Sequence, residues 1–237
     1  VGVAPANLTI TESDPYNFGT LPTGATDTHT FTINNAGGFQ ASAITGSGLA
    51  APYTFFGGSY PGTGGTCAAT LNAGASCDIV VEYAPVAVSA ADNDTIQIDY
   101  NDGVVAQATT RDVTGVAVAP ATLTITETDP YNFGTFATGA TNSHSFTITN
   151  TGSFQASAMV ESGIGAPYNY LGGSYPGTGG DCAATLAAAG TCTIVVEYAP
   201  TVPGVHNDTI SFAYNDGVSG QSVDRDITGT GVTPASL

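Results

Sequence analysis

Four cysteines are the residues of this chain best able to form covalent or metal bonds. They occur as two equally spaced pairs, Cys67 with Cys77 and Cys182 with Cys192. A structural zinc site needs four ligands close together, and no histidine or further cysteine recurs near either pair. We therefore predict two local disulfides and no bound metal, each disulfide contributing about 3 kcal/mol in the chain-entropy model. Persistent disulfides indicate an oxidising compartment and hence a secreted or cell-surface protein.

Acidic side chains could bind calcium, which takes six to eight oxygen ligands. The chain has 19 Asp and Glu, no Lys and two Arg, giving a formal net charge of −17. Solubility alone explains such a charge, so we predict no cofactor and leave calcium as the alternative. Asp92-Asn93-Asp94 has only part of a calcium-loop pattern and is interpreted as a solvated turn. Better calcium candidates are acids that recur and could converge near domain junctions: Glu12 and Glu127, and above all Asp14, Asp102, Asp129 and Asp216.

The negative charge also excludes two classes of partner. It repels the phosphate backbone of nucleic acids, and it repels anionic lipid surfaces. No apolar run is long enough to span a bilayer. We therefore expect no nucleic-acid partner and no direct membrane insertion, with any signal or anchor lying outside this sequence.

Enzymatic chemistry would need a nucleophile, a base and an orienting group. His29 and His144 stand at matching strand starts without evident partners, and we interpret them as structural, while His206 occurs in the second half only. Arg111 and Arg225 each precede an Asp, and each is expected to form an ion pair within its own domain. Because no candidate set recurs, we predict that the protein is not an enzyme and has no catalytic residues.

A segment rich in Gly and Tyr is the most suggestive candidate for ligand binding. Residues 57–65 read GGSYPGTGG and residues 172–180 repeat them unchanged, but the lysine of a phosphate-binding loop is missing. Exposed on a flexible loop, Tyr60 and Tyr175 could stack on a sugar or dock on a protein. The alternative, which we favour, is that both rings fold back over the domain edge near the disulfides.

Candidate residues recur because the chain contains an internal repeat. Asp14-Pro15-Tyr16-Asn17-Phe18-Gly19 returns as Asp129-Pro130-Tyr131-Asn132-Phe133-Gly134, and the offset is constant as far as Ala199-Pro200. We predict one domain at 1–117, a second at 118–233 and the start of a third copy at 234–237. The parent protein is thus expected to carry further copies of the same repeat. The short apolar junction at 114–120 predicts a stiff, end-to-end connection.

Alternation of apolar and polar residues predicts half-buried β-strands. In the segment 77–83, Cys77, Ile79, Val81 and Tyr83 share one face. Asn101-Asp102-Gly103 between two such segments predicts a tight hairpin turn. With about seven short strands per copy and no helical period, each copy is expected to be a β-sandwich.

Three motifs resemble a known family. Asn17-Phe18-Gly19-Thr20 with residues 30–37 resembles the opening of Hydin-like (ASH-type) domains, and residues 67–85 resemble the middle signature of their bacterial relatives, called choice-of-anchor D domains. Thr228-Gly229-Thr230-Gly231 resembles the closing motif. The resemblance implies an immunoglobulin-like fold of seven strands without shared catalytic residues. In bacteria, it implies tandem copies in large exported proteins.

Together these observations predict two tandem immunoglobulin-like β-sandwiches joined end to end by a short linker. We expect a monomeric stalk or spacer of a bacterial surface or secreted protein, an adhesin in particular. The alternative is a module that binds a host or cell-surface glycan or protein through the loops of Tyr60 and Tyr175.

Overall fold

The structure, a computed structural model, describes residues 2–236. These residues form two compact units that divide between Val118 and Ala119. They contain β-strands and turns only, and no helix among them is long and apolar enough to cross a membrane. The predicted all-β, immunoglobulin-like class is confirmed.

The first unit is a sandwich of two sheets. Its strands within the described residues are β1 (Leu8–Ile10), β2 (Tyr16–Pro22), β3 (Asp27–Asn35), β4 (Ala41–Ser47), β5 (Tyr53–Phe55), β6 (Thr70–Leu71), β7 (Ser76–Tyr83), β8 (Ser89–Asn101) and β9 (Ala106–Val118). One sheet has the order β1-β3-β7-β5 and the other the order β2-β9-β8-β4-β6. β2 runs parallel to β9, and the remaining pairs are antiparallel.

The second unit repeats this arrangement. Its strands are β10 (Leu123–Ile125), β11 (Tyr131–Ala137), β12 (Asn142–Asn150), β13 (Ser157–Ser162), β14 (Tyr168–Tyr170), β15 (Thr191–Tyr198), β16 (Gly204–Asn215) and β17 (Gly220–Val232). The sheet orders are β10-β12-β15-β14 and β11-β17-β16-β13. The seven strands that the resemblance implies correspond to β1–β4 and β7–β9 in the first unit and to β10–β13 and β15–β17 in the second, and β5, β6 and β14 are additional strands at sheet edges.

The core of each unit lies between its two sheets, where the predicted inward residues meet. Cys77, Ile79, Val81 and Tyr83 of β7 are all buried, as their alternation predicts. Removing such apolar side chains from water is the main force that holds the sheets together. Phe212 is as fully buried as Ile98, its counterpart in the first unit.

The predicted hairpin turn at Asn101-Asp102-Gly103 is confirmed. It joins the long strands β8 and β9, and the backbone N–H of Asp102 donates to the carbonyl of Val105. Gly103 has a φ of +96°, a conformation that glycine adopts without steric cost.

Candidate functional site

Both predicted disulfides are present. Cys67 is bonded to Cys77 and Cys182 to Cys192, and no free cysteine exists among the described residues. The first bond joins the end of the Gly- and Tyr-rich segment to β7. Beside it, the N–H groups of Thr66 and Cys67 both donate to the carbonyl of Asp78. Each disulfide therefore fixes one end of this segment to the sandwich.

Backbone hydrogen bonds fix the rest of the segment. The N–H of Phe56 donates to the carbonyl of Val80 at 2.9 Å, and the N–H of Val80 donates to that of Pro61 at 2.8 Å. Inside the segment, the N–H of Thr63 donates to the carbonyl of Phe56 at 2.7 Å. This is not the flexible loop that its glycine content suggested, because its backbone is hydrogen-bonded to the adjacent strand.

The repeated glycines allow this close approach. A Cβ added to Gly62 would lie 2.2 Å from the carbonyl oxygen of Val80, and one added to Gly177 would lie 2.3 Å from that of Val195. Both glycines also have a φ of +91°, which disfavours any other residue. Close backbone packing and the positive φ thus explain why both copies have glycine at this position.

Tyr60 and Tyr175 fold inward over the core. The Tyr60 ring stands perpendicular to Phe55 with ring centroids 5.5 Å apart, and Tyr175 meets Tyr170 at the same distance. Both hydroxyls are buried and have no hydrogen-bond partner within residues 2–236, and burial raises the pKa of Tyr60 to about 12. This is the arrangement that we favoured from the sequence. Ligand binding through these two tyrosines stays a prediction.

The surroundings of the two tyrosines differ between the copies. In the first copy, a Cβ added to Gly46 would lie 2.3 Å from the Tyr60 ring. Glu161 occupies the corresponding position of the second copy. Burial, followed by the neighbouring Glu161 carboxylate, raises the pKa of both Tyr170 and Tyr175.

A buried asparagine in each copy is a structural centre that the sequence analysis missed. The Asn35 side chain is fully buried; its carbonyl accepts hydrogen bonds from the N–H groups of Asn7 and Gly37, and its amide donates to the carbonyls of Phe39 and Leu71. Asn150 makes the equivalent bonds. The recurrence of Asn two residues before Gly, within the family motif, was the available signal.

Asp102 and Asp216, two of the calcium candidates, stabilise the hairpin turns. The Asp102 carboxylate accepts hydrogen bonds from the N–H groups of Val105 and Val104, which lower its pKa. Asp216 receives the same bonds from Val218 and Ser219. Both side chains are almost fully buried, so each carboxylate acts as a cap for its turn.

Asp14 and Asp129, the other two candidates, pair with the arginines. The Arg111 Nη1 lies 3.3 Å from the Asp14 Oδ2, and Arg225 lies 3.4 Å from Asp129. Arg111 also donates to the carbonyl of Ile10, so it links β9 to the opposite sheet. The predicted ion pairs within each domain are confirmed.

The calcium candidates are therefore divided between different places in each copy. Asp102 lies in the β8–β9 turn, whereas Asp14 lies beside the middle of β9, where it accepts from the N–H of Asp112. Glu12 accepts from the N–H of Thr32. Over residues 2–236, no three or more His, Cys, Asp or Glu side chains are arranged to hold a metal ion. Calcium binding stays a prediction without a ligand cluster.

The histidines pack against aromatic rings. His29 stacks on Tyr16 with centroids 4.0 Å apart, and its Nδ1 is 2.9 Å from the Tyr16 hydroxyl. His144 stacks on Tyr131 at 4.1 Å. Burial lowers the pKa of His144, and the nearby Glu127 only partly opposes this effect. The structural interpretation of both residues agrees with these contacts.

His206, which sequence analysis left without a role, replaces an acid of the first copy. In the first copy, the Tyr83 hydroxyl donates to the Asp92 carboxylate at 2.7 Å. In the second, the Tyr198 hydroxyl lies 2.8 Å from the His206 Nδ1. The buried tyrosine thus has a hydrogen-bond partner at this position in both copies, but the partner is a carboxylate in one and an imidazole in the other.

A polar cleft recurs at the same position of both copies and was not foreseen. The first polar cleft has a volume of about 420 Å³ and is lined by Pro15, Asn93, Asp94, Thr95, Asp112 and Val113. The second has about 490 Å³ and is lined by Pro130, Asn207, Asp208, Thr209, Asp226, Ile227 and Thr228. These residues lie far apart in sequence; the recurring Asn-Asp-Thr and Arg-Asp motifs were the only available signal.

Fold and contacts define a structural immunoglobulin-like module. A family model described as "HYDIN/CFA65/VesB-like, Ig-like domain" matches residues 124–230. The match lies within the second copy, and the resemblance to Hydin-like domains that the sequence predicts is confirmed. The first copy has the same sheet orders and motifs.

Solved structures with similar folds come from unrelated contexts. The ASH / PapD-like domain of human CEP192 is 14% identical, with coverage of 49% of this chain and 89% of that chain and a TM-score of 0.37. The Vibrio cholerae VesB protease is 16% identical over 47% of this chain and 32% of that chain, with a TM-score of 0.38. A three-Ig fragment of titin is 11% identical, with coverage of 97% of this chain and 67% of that chain and a TM-score of 0.43. No curated protein matches the sequence.

Proposed function

We propose that this chain is a stalk or spacer segment of a bacterial surface or secreted protein, an adhesin in particular. One observation carries the proposal: the recurring residues that could do chemistry are engaged in holding each domain together. The cysteines are paired, the arginines bind carboxylates, and the acids of the hairpin turns cap backbone N–H groups. A module built in this way contributes length and stability.

Two further features support the proposal. The disulfides favour an oxidising compartment. The near absence of cations, with a formal net charge of −17, keeps such a chain soluble and opposes association through its acidic surfaces. We expect a monomer without catalytic activity, joined in its parent protein to further copies of the repeat.

Small-angle X-ray scattering on the intact chain tests the spacer function. We expect a monomeric mass and a distance distribution with the long tail of an elongated particle, unchanged between low and physiological salt. A compact profile, or a mass that rises with concentration, would reject the proposal. Melting in calcium and then in chelator tests the calcium alternative, because an ion that binds the native state must raise the melting temperature.

The alternative of a binding module that uses the Gly- and Tyr-rich segments has its own test. Because Tyr60 and Tyr175 pack on the core with buried hydroxyls, a ligand could reach only part of each ring unless the segment moves. Affinity that survives the paired substitutions Tyr60→Ala and Tyr175→Ala would exclude these residues as the binding platform. The polar clefts offer a surface that requires no such movement.

A further inference from the structure

We propose that each polar cleft binds one segment of a neutral, hydroxyl-rich glycan. This inference goes beyond the spacer function, which would hold without it. It rests on the recurrence of one cleft in both copies, on the hydrogen-bonding groups that line it and on the absence of a facing cation among the described residues.

The position of the cleft makes it accessible. Asp112 lies on the outer face of β9, next to the buried Val113, and Asn93 is exposed on the neighbouring strand β8. Pro15, at the start of β2, forms an exposed apolar wall. Volumes of about 420 and 490 Å³ lie within the range of small-ligand sites, roughly 300–1,000 Å³.

The lining offers unused hydrogen-bonding capacity. The Asp112 Oδ1 accepts from the Thr95 hydroxyl at 2.7 Å, whereas its Oδ2 has no hydrogen bond within residues 2–236. The Asn93 amide is likewise without a partner there. Asp94 differs, because its two oxygens accept from the N–H groups of Thr95 and Ala50. The cleft thus presents both an acceptor and an amide donor, and sugar hydroxyls both donate and accept.

The charge and composition of the cleft narrow the ligand class. Arg111, the one cation of the first copy, has a side chain only 14% exposed and directed toward Asp14 and Ile10, so it does not attract an anion into the cleft. A divalent cation would need several ligands, and the described residues hold no such group. A peptide would need an apolar pocket for an anchoring side chain. Among the residues that line the first cleft, Pro15 is the exposed apolar one, since Val113 is buried. A neutral sugar fits the remaining chemistry.

The second cleft is better organised for such a ligand. The Thr228 hydroxyl donates to the Asn207 Oδ1 at 2.7 Å, which fixes the amide with its NH₂ group available as a donor. No equivalent bond holds Asn93 within the described part of the first copy. Because a fixed donor loses less entropy on binding, we expect the second cleft to bind more tightly.

The test uses the intact chain on an array of neutral oligosaccharides built from glucose, galactose, mannose and N-acetylglucosamine. Sulfated and uronate-containing oligosaccharides serve as negative probes, because the acidic surface repels them. Titration calorimetry with the best neutral probe should give two sites per chain. An array without any neutral binder would overturn the proposal.

Variants then assign the sites. Asn93→Ala with Asp112→Ala should leave one site, and so should Asn207→Ala with Asp226→Ala; all four together should weaken binding at least tenfold. Asn93→Ala and Asn207→Ala each replace one exposed side chain, the second also removing the bond from Thr228, and they keep the test valid if the multiple variants unfold. Thr228→Val should weaken the second site only.

A matched control is available on the opposite sheet. Glu82→Gln and Glu197→Gln remove the same number of charges, in both copies, from residues without side-chain hydrogen bonds in the described structure. We expect these variants to bind as the native chain does. Binding that persists in the folded four-residue variant, or that is lost equally in the control, would overturn the assignment to the clefts. Neither result bears on the spacer function, which scattering tests separately.

Discussion

The two copies have the same residue where the backbone of one segment closely contacts a neighbouring strand. They differ at a position where either of two side chains can form the same hydrogen bond. Gly62 and Gly177 both lie against a carbonyl oxygen of the neighbouring strand, and neither position could accept a side chain. By contrast, the partner of a buried tyrosine is Asp92 in one copy and His206 in the other. The comparison indicates that close backbone contacts, more than individual side-chain partners, define this module.

Gly62→Ala should have the largest effect. Its Cβ would meet the Val80 carbonyl at 2.2 Å, and its φ of +91° disfavours alanine. We expect a loss of about 3–5 kcal/mol of unfolding free energy in the first copy, from strain and overpacking together, measured by denaturant unfolding. Gly58→Ala is the control, since its φ is +88° with nothing within 4 Å, and should cost only about 1 kcal/mol. Equal losses would show that the close contact is unimportant.

Asn35→Ala should cause the second-largest loss of unfolding free energy. It leaves the buried carbonyl of Leu71 without one donor and the N–H groups of Asn7 and Gly37 without an acceptor. An unsatisfied buried group such as the Leu71 carbonyl costs roughly 1–3 kcal/mol, and the two part-buried N–H groups cost less, so we expect a total loss of about 3 kcal/mol. Asn150→Ala should cost the same in the second copy. Asn34→Ala, whose side chain makes no hydrogen bond in the described structure, controls for strand propensity and should remain near native in a thermal melt.

A smaller effect with opposite signs is expected at one turn. Gly74 has a φ of +70°, and its counterpart Ala189 has a φ of +56°. Gly74→Ala should therefore lower the unfolding free energy by about 1 kcal/mol, and Ala189→Gly should raise it by a similar amount. Calorimetric melting of the two variants would measure both shifts. Shifts of the same sign would mean that turn conformation does not govern this difference.

The smallest effect is a pH dependence of the second copy. Burial lowers the pKa of His144 below its ordinary value of 6.5, so the unfolded state binds this proton more readily than the native state. Stability should thus decrease as the pH falls through 6.5 and level off below the native pKa. Melting temperatures from pH 8 to pH 5 should show the decrease, and His144→Gln should remove it. An unchanged slope in the variant would assign the dependence to other groups.

The sequence by itself determined the repeat, the strands, the disulfides and the ion pairs. These predictions used local or compositional signals: the alternation in β7, the equal spacing within the two cysteine pairs, and the position of Arg111 in a chain whose Lys and Arg total two. The partner of each cysteine lies nearby in sequence. For Arg111 the composition predicted an ion pair, and the tertiary structure selected Asp14 as its partner. The family resemblance added the strand number.

Only the tertiary structure decided how the Gly- and Tyr-rich segment, Asn35 and the clefts are arranged. The segment is ordered by hydrogen bonds to β7, and Asn35 joins the backbone of three separate segments. The first cleft unites residues of β8 and β9 with Pro15 before β2, and the second unites residues of β16 and β17 with Pro130 before β11. A glycine pattern looks the same in a flexible loop and in a tightly packed one, because the deciding contacts come from strands distant in sequence. The spacing of residues in the sequence does not show which distant strands lie next to each other, whereas the pairing of strands in the sheets determines it.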